Sequence, residues 1–139
     1  MNISRDKTNI VHNKVGVNLD ASASHNVYLS SVHDNNTDNP FQQWRIKEMS
    51  NNTFRVIHII TNLALDANVD MEVYLSNHEN NNEDNPYQLW RIVPMSDNTY
   101  RIIHNKTNLA LDANADGQVY LSSVRNNNED NPYQRWWFR

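Results

Sequence analysis

The chain has no cysteine and little glycine, and both shortages exclude classes of protein. Without cysteine, its 139 residues can form neither a disulfide framework nor a thiolate metal site. Only two glycines are present, so a glycine-rich phosphate loop is ruled out. Left-handed turn positions must then fall on other residues, and the abundant asparagine tolerates that conformation. The length is still sufficient to bury a core, so one compact domain is expected.

Long apolar runs and clusters of basic residues are also missing. The polar start Met-Asn-Ile-Ser-Arg-Asp contains no signal peptide and no apolar span follows, so we expect no membrane insertion. This leaves a cytoplasmic location or release by a non-standard route. The net charge is −4, and the 12 lysines and arginines are scattered. Because a nucleic-acid groove needs a basic stripe, we expect no nucleic-acid partner.

One sequence pattern occurs three times at a constant spacing of 46 residues. Each copy contains Leu-Asp-Ala, then Val-Tyr-Leu-Ser, then Asp-Asn-Pro-aromatic-Gln-x-Trp. Self-similarity at a fixed period determines the architecture before any local feature does. We therefore predict a single domain over residues 1–139, built from repeats at about 1–47, 48–93 and 94–139, and any site in one repeat should occur three times.

The third repeat illustrates the secondary structure that each copy predicts. Residues 99–104 are rich in β-branched and aromatic side chains, which is typical of a strand. Residues 109–112 and 119–122 alternate apolar and polar side chains, which predicts two more strands. Pro132 bounds a fourth strand at residues 134–138, where a proline at the entry removes no ladder hydrogen bond.

Four strands in each of three repeats predict an all-β domain of twelve strands. One repeat is too small to bury its own apolar face, so the three must share a core. We expect that core to contain equivalent tryptophans and leucines from each copy: Trp44, Trp90, Trp136, Leu19, Leu65, Leu111, Leu29, Leu75 and Leu121. A β-propeller also repeats four-stranded units, but three blades are too few to close around an axis.

Three equally spaced copies of Gln-x-Trp, each after a Leu-Asp-Ala turn and a Val-x-Leu strand, resemble the β-trefoil lectins of the ricin B-chain (R-type) group. The resemblance extends over essentially the whole chain. It implies a β-trefoil, in which six β-hairpins are arranged with pseudo-threefold symmetry. It also implies non-covalent binding of sugars, usually galactose or its N-acetyl form, and we expect no cofactor.

The resemblance assigns sugar binding first to the aspartates of Leu-Asp-Ala, which in the family grip adjacent hydroxyls: Asp20, Asp66 and Asp112. At the end of a strand such a carboxylate can face solvent and make charge-assisted hydrogen bonds, which are the stronger kind. The alternative is that each aspartate caps a turn by accepting backbone N–H groups. The two roles are compatible, because a cap also orients the carboxylate.

Amide side chains complete the polar part of the predicted site. In the R-type pattern an asparagine just before Gln-x-Trp reaches the sugar, although here Pro-Phe or Pro-Tyr is inserted between them; the matching residues are Asn39, Asn85 and Asn131. Turn formation before proline is the alternative for these asparagines. The glutamines belong to the predicted site mainly by bracing the turn: Gln42, Gln88 and Gln134. The loop between the strands offers extra donors: Asn36, Asn82 and Asn128.

The aromatic side chain that would stack on the sugar ring is where the sequence departs most from the R-type pattern. The family's stacking position holds serine in all three copies: Ser30, Ser76 and Ser122. Two residues earlier lies a tyrosine expected to face outward, which can take over this stacking or pack across the strands: Tyr28, Tyr74 and Tyr120. A second candidate set is the inserted aromatics: Phe41, Tyr87 and Tyr133. The turns beside the aspartates differ between repeats, so the three sites should not be equivalent.

Three histidines also repeat, as His12, His58 and His104. Three imidazoles on a threefold axis could in principle hold one metal ion, but the strand is otherwise apolar. We favour a hydrogen-bonded structural role and expect no metal. Because no nucleophile–base pair or catalytic carboxylate dyad stands out, we expect no enzyme activity.

The sequence therefore predicts a β-trefoil lectin with up to three sites for galactose-type sugars on glycoproteins or glycolipids. Three weak sites would supply avidity and cross-link glycans or agglutinate cells. The alternative is a β-trefoil that binds proteins, such as a toxin-associated subunit, an actin-binding module or an inhibitor. A symmetric engineered scaffold is a third possibility. Trp137 breaks the repeat beside Phe138, which suggests either a homodimer contact or filling of the barrel base.

Overall fold

The computed structural model describes residues 3–31, 39–77, 85–123 and 131–139. Thirteen strands lie within these ranges: β1 Arg5–Thr8, β2 Ile10–His12, β3 Asn18–Ala21, β4 Val27–Ser30, β5 Trp44–Glu48, β6 Phe54–His58, β7 Leu63–Ala67, β8 Val73–Ser76, β9 Trp90–Pro94, β10 Tyr100–His104, β11 Ala110–Ala113, β12 Val119–Ser122 and β13 Trp136–Phe138. Short 3-10 helices precede β5, β9 and β13, at Pro40–Gln42, Pro86–Gln88 and Pro132–Gln134. No helix among these residues is long and apolar enough to cross a membrane.

The first barrel strand of the chain is divided in two. Strand β1 pairs with β5, whereas β2 pairs with β13 and β3. The break falls at Asn9, whose backbone exchanges hydrogen bonds with Arg139 at 2.8 and 2.9 Å. In the other repeats the matching strands, β6 and β10, are continuous. Thirteen strands are thus present where twelve were expected, since one barrel strand is counted twice.

The remaining strands form three hairpins, β3–β4, β7–β8 and β11–β12, which meet one another at the threefold axis. Bridges between repeats join Asn26 to Tyr74, Glu72 to Tyr120 and Gln118 to Tyr28. Each hairpin therefore rests on the turn of a neighbouring repeat, and the ring of three is closed. This is the pseudo-threefold arrangement that the repeat predicted.

The core is built from the predicted side chains. The three tryptophans are fully buried, and their Nε1–H groups donate to the carbonyls of Leu19, Leu65 and Leu111 at 3.0, 3.0 and 3.1 Å. A buried indole thus contributes its large apolar surface while its one polar atom is satisfied. All six predicted leucines are also buried, so the core prediction is confirmed.

Asparagine occupies the left-handed turn positions that glycine would otherwise take. Among the described residues, positive φ angles occur at Gly16, Asn62 and Asn108, which are equivalent in the three repeats, with values of 82°, 58° and 62°. Asn51, Asn52 and Asn98 adopt the same conformation. Asparagine pays a smaller steric penalty there than branched residues do. The scarcity of glycine is thereby explained.

The predicted strand at residues 134–138 is wrong at its start. Gln134 ends a 3-10 helix, and the strand begins only at Trp136. The cause is local, because the Asn131 side chain accepts a hydrogen bond from the backbone N–H of Tyr133 at 3.1 Å. Proline at the first helical position already has the φ angle that this turn needs. The same cap forms at Asn39 and Asn85.

Candidate functional site

The strand register places each predicted aspartate directly opposite a predicted tyrosine. Asp20 pairs with Tyr28, Asp66 with Tyr74 and Asp112 with Tyr120. Residues in direct cross-strand register have Cβ atoms about 5 Å apart. The aspartate and the tyrosine of one repeat therefore lie next to each other on the hairpin, and their common role in sugar binding stays a prediction.

The aspartates are more buried than expected. Their exposed fractions are only 6 to 7%, whereas the sequence suggested carboxylates that face solvent. In the second repeat, Asp66 Oδ1 accepts from the N–H of Ala67 at 2.8 Å. Its Oδ2 accepts from Gln88 Nε2 at 3.2 Å and from the hydroxyl of Ser76. The turn-capping alternative is therefore partly correct, because the backbone bond is local.

The glutamines hold the carboxylates in all three repeats. Gln42 Nε2 lies 3.1 Å from Asp20 Oδ2, and Gln134 Nε2 lies 3.2 Å from Asp112 Oδ2. Each glutamine also donates to a strand-end carbonyl, at 2.8 Å to Asn77 in the second repeat and 2.9 Å to Ser123 in the third. A carboxylate has about four acceptor positions. Three are used here, so roughly one remains for a ligand.

The serine in the family's aromatic position has a role that sequence reasoning missed. Ser76 donates its hydroxyl to Asp66, and Ser122 does the same to Asp112. Ser30 makes the equivalent bond to Asp20. The only signal in the sequence was that Val-Tyr-Leu-Ser is identical in all three copies. These serines therefore orient the carboxylate instead of stacking on a ring.

The first pocket is an open depression of about 400 Å³. Its lining joins the two aromatic candidates to the polar ones: Asp20, Ser22, Ala23, Tyr28, Ser30, Asn39 and Phe41. Asn39 uses its side-chain oxygen to accept from the N–H of Phe41 at 3.1 Å. Its amide Nδ2 is then the group that can donate to a ligand. Tyr28 and Phe41 both line this pocket, so either ring is placed to stack on a sugar.

The second pocket is lined by residues at equivalent positions, but some of the side chains differ. It measures about 340 Å³ and is lined by Asp66, Asn68, Val69, Tyr74, Asn85 and Tyr87. Val69 is 66% exposed where the first pocket has Ala23. The side-chain oxygen of Asn68 accepts from the N–H groups of Asp70 and Glu72 at 2.9 and 3.1 Å, which fixes the turn. The two pockets are therefore related but not identical.

Burial shifts the acidity of the site residues. Desolvation raises the pKa of Asp20 above its ordinary value, against the opposing effect of the Gln42 hydrogen bond. It also raises the pKa of all three tyrosines, and the facing aspartate adds to the effect in each case. The tyrosines therefore stay neutral hydroxyls near neutral pH, able to donate and to accept.

The repeated histidines form hydrogen bonds beneath the pockets. The rings of His12, His58 and His104 are fully buried. Their Nε2 atoms lie 2.8 to 2.9 Å from backbone carbonyls of the inserted aromatics Tyr133, Phe41 and Tyr87. Each ring therefore fixes the aromatic that lines a pocket. Within the described ranges, no group of three histidine or acidic side chains is placed to hold a metal ion.

Several predicted residues lie outside the described ranges. Asn36, Asn82 and Asn128, the predicted extra donors in the loops, are among them. Their participation stays a prediction. The rest of the predicted polar set converges in each repeat, because aspartate, glutamine and tyrosine are linked by register and hydrogen bonds.

The fold occurs in solved structures of low sequence identity. A designed threefold symmetric protein, ThreeFoil, aligns with a TM-score of 0.77 at 19% identity, covering 96% of this chain and 98% of that one. The cytolethal distending toxin of Actinobacillus actinomycetemcomitans aligns at 0.78 and 13% identity, covering 95% and 89%. SeviL bound to asialo-GM1 saccharide aligns at 0.74 and 13% identity, covering 96% of each chain. These likenesses confirm the β-trefoil prediction.

Sequence comparison identifies the family. No curated protein matches the sequence. The family model of ricin-type β-trefoil lectin-like domains matches residues 42–122, which include the second repeat and most of the third. This match spans more than half of the chain and agrees with the fold. The chain belongs to the family of ricin-type β-trefoil lectin-like domains.

Proposed function

We propose that the protein is a multivalent lectin that binds galactose-type sugars at up to three related pockets. Membership of a lectin-like family supports carbohydrate binding in general and glycans as partners, and it favours binding over catalysis. The assignment of galactose-type sugars to these pockets depends on one observation. In every repeat an oriented carboxylate lies in register with a tyrosine.

The chemistry of that pair suits a sugar. A carboxylate held by three donors presents its remaining acceptor position at a fixed angle, and charge-assisted hydrogen bonds to hydroxyls are the stronger kind. The ring of the tyrosine offers an apolar surface for the C–H face of the sugar. Asn39 and Asn85 line the first two pockets and can donate from Nδ2. One carboxylate, one amide and one aromatic ring thus surround one ligand.

Each pocket is shallow, so a single site should bind weakly, with a Kd of roughly 10 μM to 1 mM, about −7 to −4 kcal/mol. Three pockets on one rigid domain raise the effective concentration of the second and third binding events. We therefore expect strong binding to surfaces that carry many terminal galactose residues. Cross-linking of glycans and agglutination of cells would follow.

A glycan array with free galactose as competitor tests the proposal. We expect retention on glycans with terminal galactose or N-acetylgalactosamine, and loss of retention when free galactose is added. The triple variant Asp20→Asn, Asp66→Asn, Asp112→Asn should lose binding while it stays folded, because asparagine preserves the shape and one acceptor. Asp6→Asn is the matched control, since Asp6 is exposed on β1.

Two outcomes would contradict this assignment. Undiminished glycan binding by the triple variant would show that the aspartates are not the site. A blank array for the folded wild-type protein would remove sugar binding and leave the protein-interaction alternative. SeviL, at 13% identity, supports the choice of galactose-containing glycans only through a shared fold, so the array must include other sugar classes.

A further inference from the structure

The rims of the three pockets differ at two equivalent positions. At the second pocket, the ammonium of Lys106, which comes from the third repeat, lies 5.8 Å from the ring centroid of Tyr87, which lines the Asp66 pocket. One repeat earlier, at an offset of 46, the same two positions hold Ile60 and Phe41. At these positions the first pocket is therefore flanked by isoleucine and phenylalanine, of which Phe41 lines it, where the second is flanked by lysine and tyrosine.

The third repeat follows the second, with Lys14 and Tyr133 at these positions. The lysine in each case lies on an exposed turn. The first repeat is thus the exception at these two positions, while the carboxylate, the tyrosine of the facing strand and the glutamine are the same in all three. Val69, which lines the second pocket where the others have Ala23 and Ala115, is a separate apolar difference.

Backbone hydrogen bonds hold the two segments that carry these apolar side chains next to each other. The Phe41 carbonyl accepts from His58 Nε2 at 2.8 Å, and the N–H of Ile59 donates to the Gln43 carbonyl at 3.1 Å. The turn that carries Ile60 is therefore fixed against the 3-10 helix that carries Phe41.

The second repeat has matching bonds. His104 Nε2 lies 2.9 Å from the Tyr87 carbonyl, and the N–H of Asn105 donates to the Leu89 carbonyl at 2.9 Å. Because the backbone is held in the same way, the Ile60 side chain starts from the same position relative to Phe41 as the Lys106 side chain does relative to Tyr87.

Both apolar side chains are open to solvent. Phe41 is 38% exposed and Ile60 is 48% exposed, and Phe41 also lines the Asp20 pocket. Exposed apolar surface that continues from a polar pocket indicates an interaction site. Its natural complement is a ligand with a polar end and an apolar end. A lysine at the same place keeps its ammonium hydrated, and covering it with hydrocarbon carries a desolvation cost.

We propose that the first pocket selects sugars linked to an apolar aglycone, such as an alkyl or acyl chain. Phe41 and Ile60 contact the first carbons of that chain while Asp20 holds the sugar. The second and third pockets bind the same sugar without preference for the chain. This inference rests on the proposed function, because the chain is positioned only if the sugar occupies the first pocket.

The test is an NMR titration of the uniformly ¹⁵N-labelled protein with methyl β-galactoside and hexyl β-galactoside, both below the micelle concentration. The amides of Ala21, Ala67 and Ala113 report on the three pockets separately, because they donate to the site aspartates at 2.8, 2.8 and 2.7 Å. A fully buried methylene adds roughly fourfold in affinity. We expect about a fivefold to tenfold advantage for the hexyl ligand at Ala21, given partial burial, and almost none at Ala67 and Ala113.

Exchanging residues between equivalent positions of the repeats gives the test variants. Ile60→Lys introduces the residue of the other repeats, and it should remove the hexyl advantage at Ala21 without changing methyl galactoside binding. Lys106→Ile should create a hexyl advantage at Ala67. Asp20→Asn should abolish the response of Ala21 to both ligands, which shows that the sugar anchors the chain.

The outcomes separate this inference from the proposed function. Methyl galactoside binding at Ala21 with no hexyl advantage, or an advantage that survives Ile60→Lys, overturns the aglycone preference and leaves the lectin assignment standing. An equal hexyl advantage at all three reporters also overturns it. No binding of either galactoside at any pocket overturns both.

Discussion

The imidazole of His58, in the second repeat, donates a hydrogen bond of 2.8 Å to the backbone carbonyl of Phe41, in the first. Because a carbonyl can only accept, the proton is on Nε2. Nδ1 is then the acceptor for the Thr61 hydroxyl, also at 2.8 Å. Desolvation by burial lowers the pKa of His58, which favours this neutral form. His104 repeats this arrangement with Thr107 and Tyr87.

The first prediction is a loss of stability on mild acidification. Desolvation lowers the pKa of His12, His58 and His104 below the ordinary value of 6.5. The unfolded chain therefore takes up protons below pH 6.5 that the folded chain does not yet bind. Stability is complete above pH 6.5 and falls as the pH decreases, by up to about 1.4 kcal/mol per pH unit for each histidine.

Urea unfolding at a series of pH values between 5 and 8 measures this dependence. The slope is steepest between the pKa of the unfolded rings, near 6.5, and the lowered pKa of the folded rings, and it vanishes once both states are protonated. His58→Gln should lower the slope by about a third, although it also lowers stability. His25→Asn is the control, since His25 is exposed. A free energy of unfolding that stays constant from pH 7 to pH 5 would refute the buried-imidazole account.

The repeat made the fold predictable and left the site geometry only partly so. A spacing of 46 residues gives the threefold architecture, and period-two alternation gives the core leucines. The pairing of Asp66 with Tyr74 follows from two adjacent strands joined by a short turn. Burial of Asp66 could not be foreseen, because it depends on Gln88, which lies 22 residues away in sequence. Hydrogen bonds between hairpins have no local sequence signature.

The division of the first barrel strand was also beyond prediction. Asn9, at the break, exchanges backbone hydrogen bonds with Arg139 at the other end of the chain. Such closure is a property of the complete barrel and of no single segment. The 3-10 helix at Pro132–Gln134 is different, since asparagine before proline is a recognised turn former.

The second prediction concerns Gln88, which is 2% exposed and bonds to Asp66. Gln88→Glu places a second carboxylate beside a buried one, where both cannot be ionised without strong repulsion. We expect a loss of about 2 to 4 kcal/mol in the free energy of unfolding at pH 7. Sugar binding at the second pocket should fall with it, while the Ala21 and Ala113 reporters still respond.

Gln118→Glu is the matched control for this substitution. Gln118 Oε1 accepts from Asn114 Nδ2 at 2.7 Å, and in the second repeat Glu72 Oε1 accepts from Asn68 Nδ2 at 2.8 Å in the same way. The chain therefore already contains the changed residue in that environment. Its stability should change by less than about 0.5 kcal/mol. Equal effects of the two substitutions would show that Gln88 does not hold Asp66.

The third prediction concerns the buried indole of Trp90, which contributes both a hydrogen bond and volume to the core. Trp90 is fully buried, and its Nε1–H donates to the Leu65 carbonyl at 3.0 Å. Trp90→Phe removes that donor, leaves a buried carbonyl without a partner and opens a small cavity. We expect a loss of about 2 to 4 kcal/mol, measured by urea unfolding. Trp137→Phe is the comparison, since Trp137 is only half-buried, and it should cost about 1 kcal/mol or less.

The fourth prediction uses a turn position that differs between the repeats. His25, Met71 and Gly117 are equivalent and all have positive φ, at 76°, 69° and 84°. Their carbonyls accept from the N–H groups of leucines in a neighbouring repeat, at 2.9 to 3.1 Å. The conformation is therefore imposed by the junction of the three hairpins. It costs roughly 1 to 2 kcal/mol for a residue with a side chain such as Met71.

Met71→Gly should relieve this strain. Glycine also gains more freedom in the unfolded chain, so the net stabilisation should be about 0.5 to 1 kcal/mol. Gly117→Met is the reverse change, and it should destabilise by about 1 to 2 kcal/mol, because φ is unfavourable and a new Cβ would lie 3.2 Å from the Leu29 carbonyl oxygen. Thermal unfolding should shift upward by about 2 to 4 °C for the first variant. Opposite shifts in the pair are the expected result, and shifts of the same sign would mean that the hairpin junction does not impose the left-handed turn.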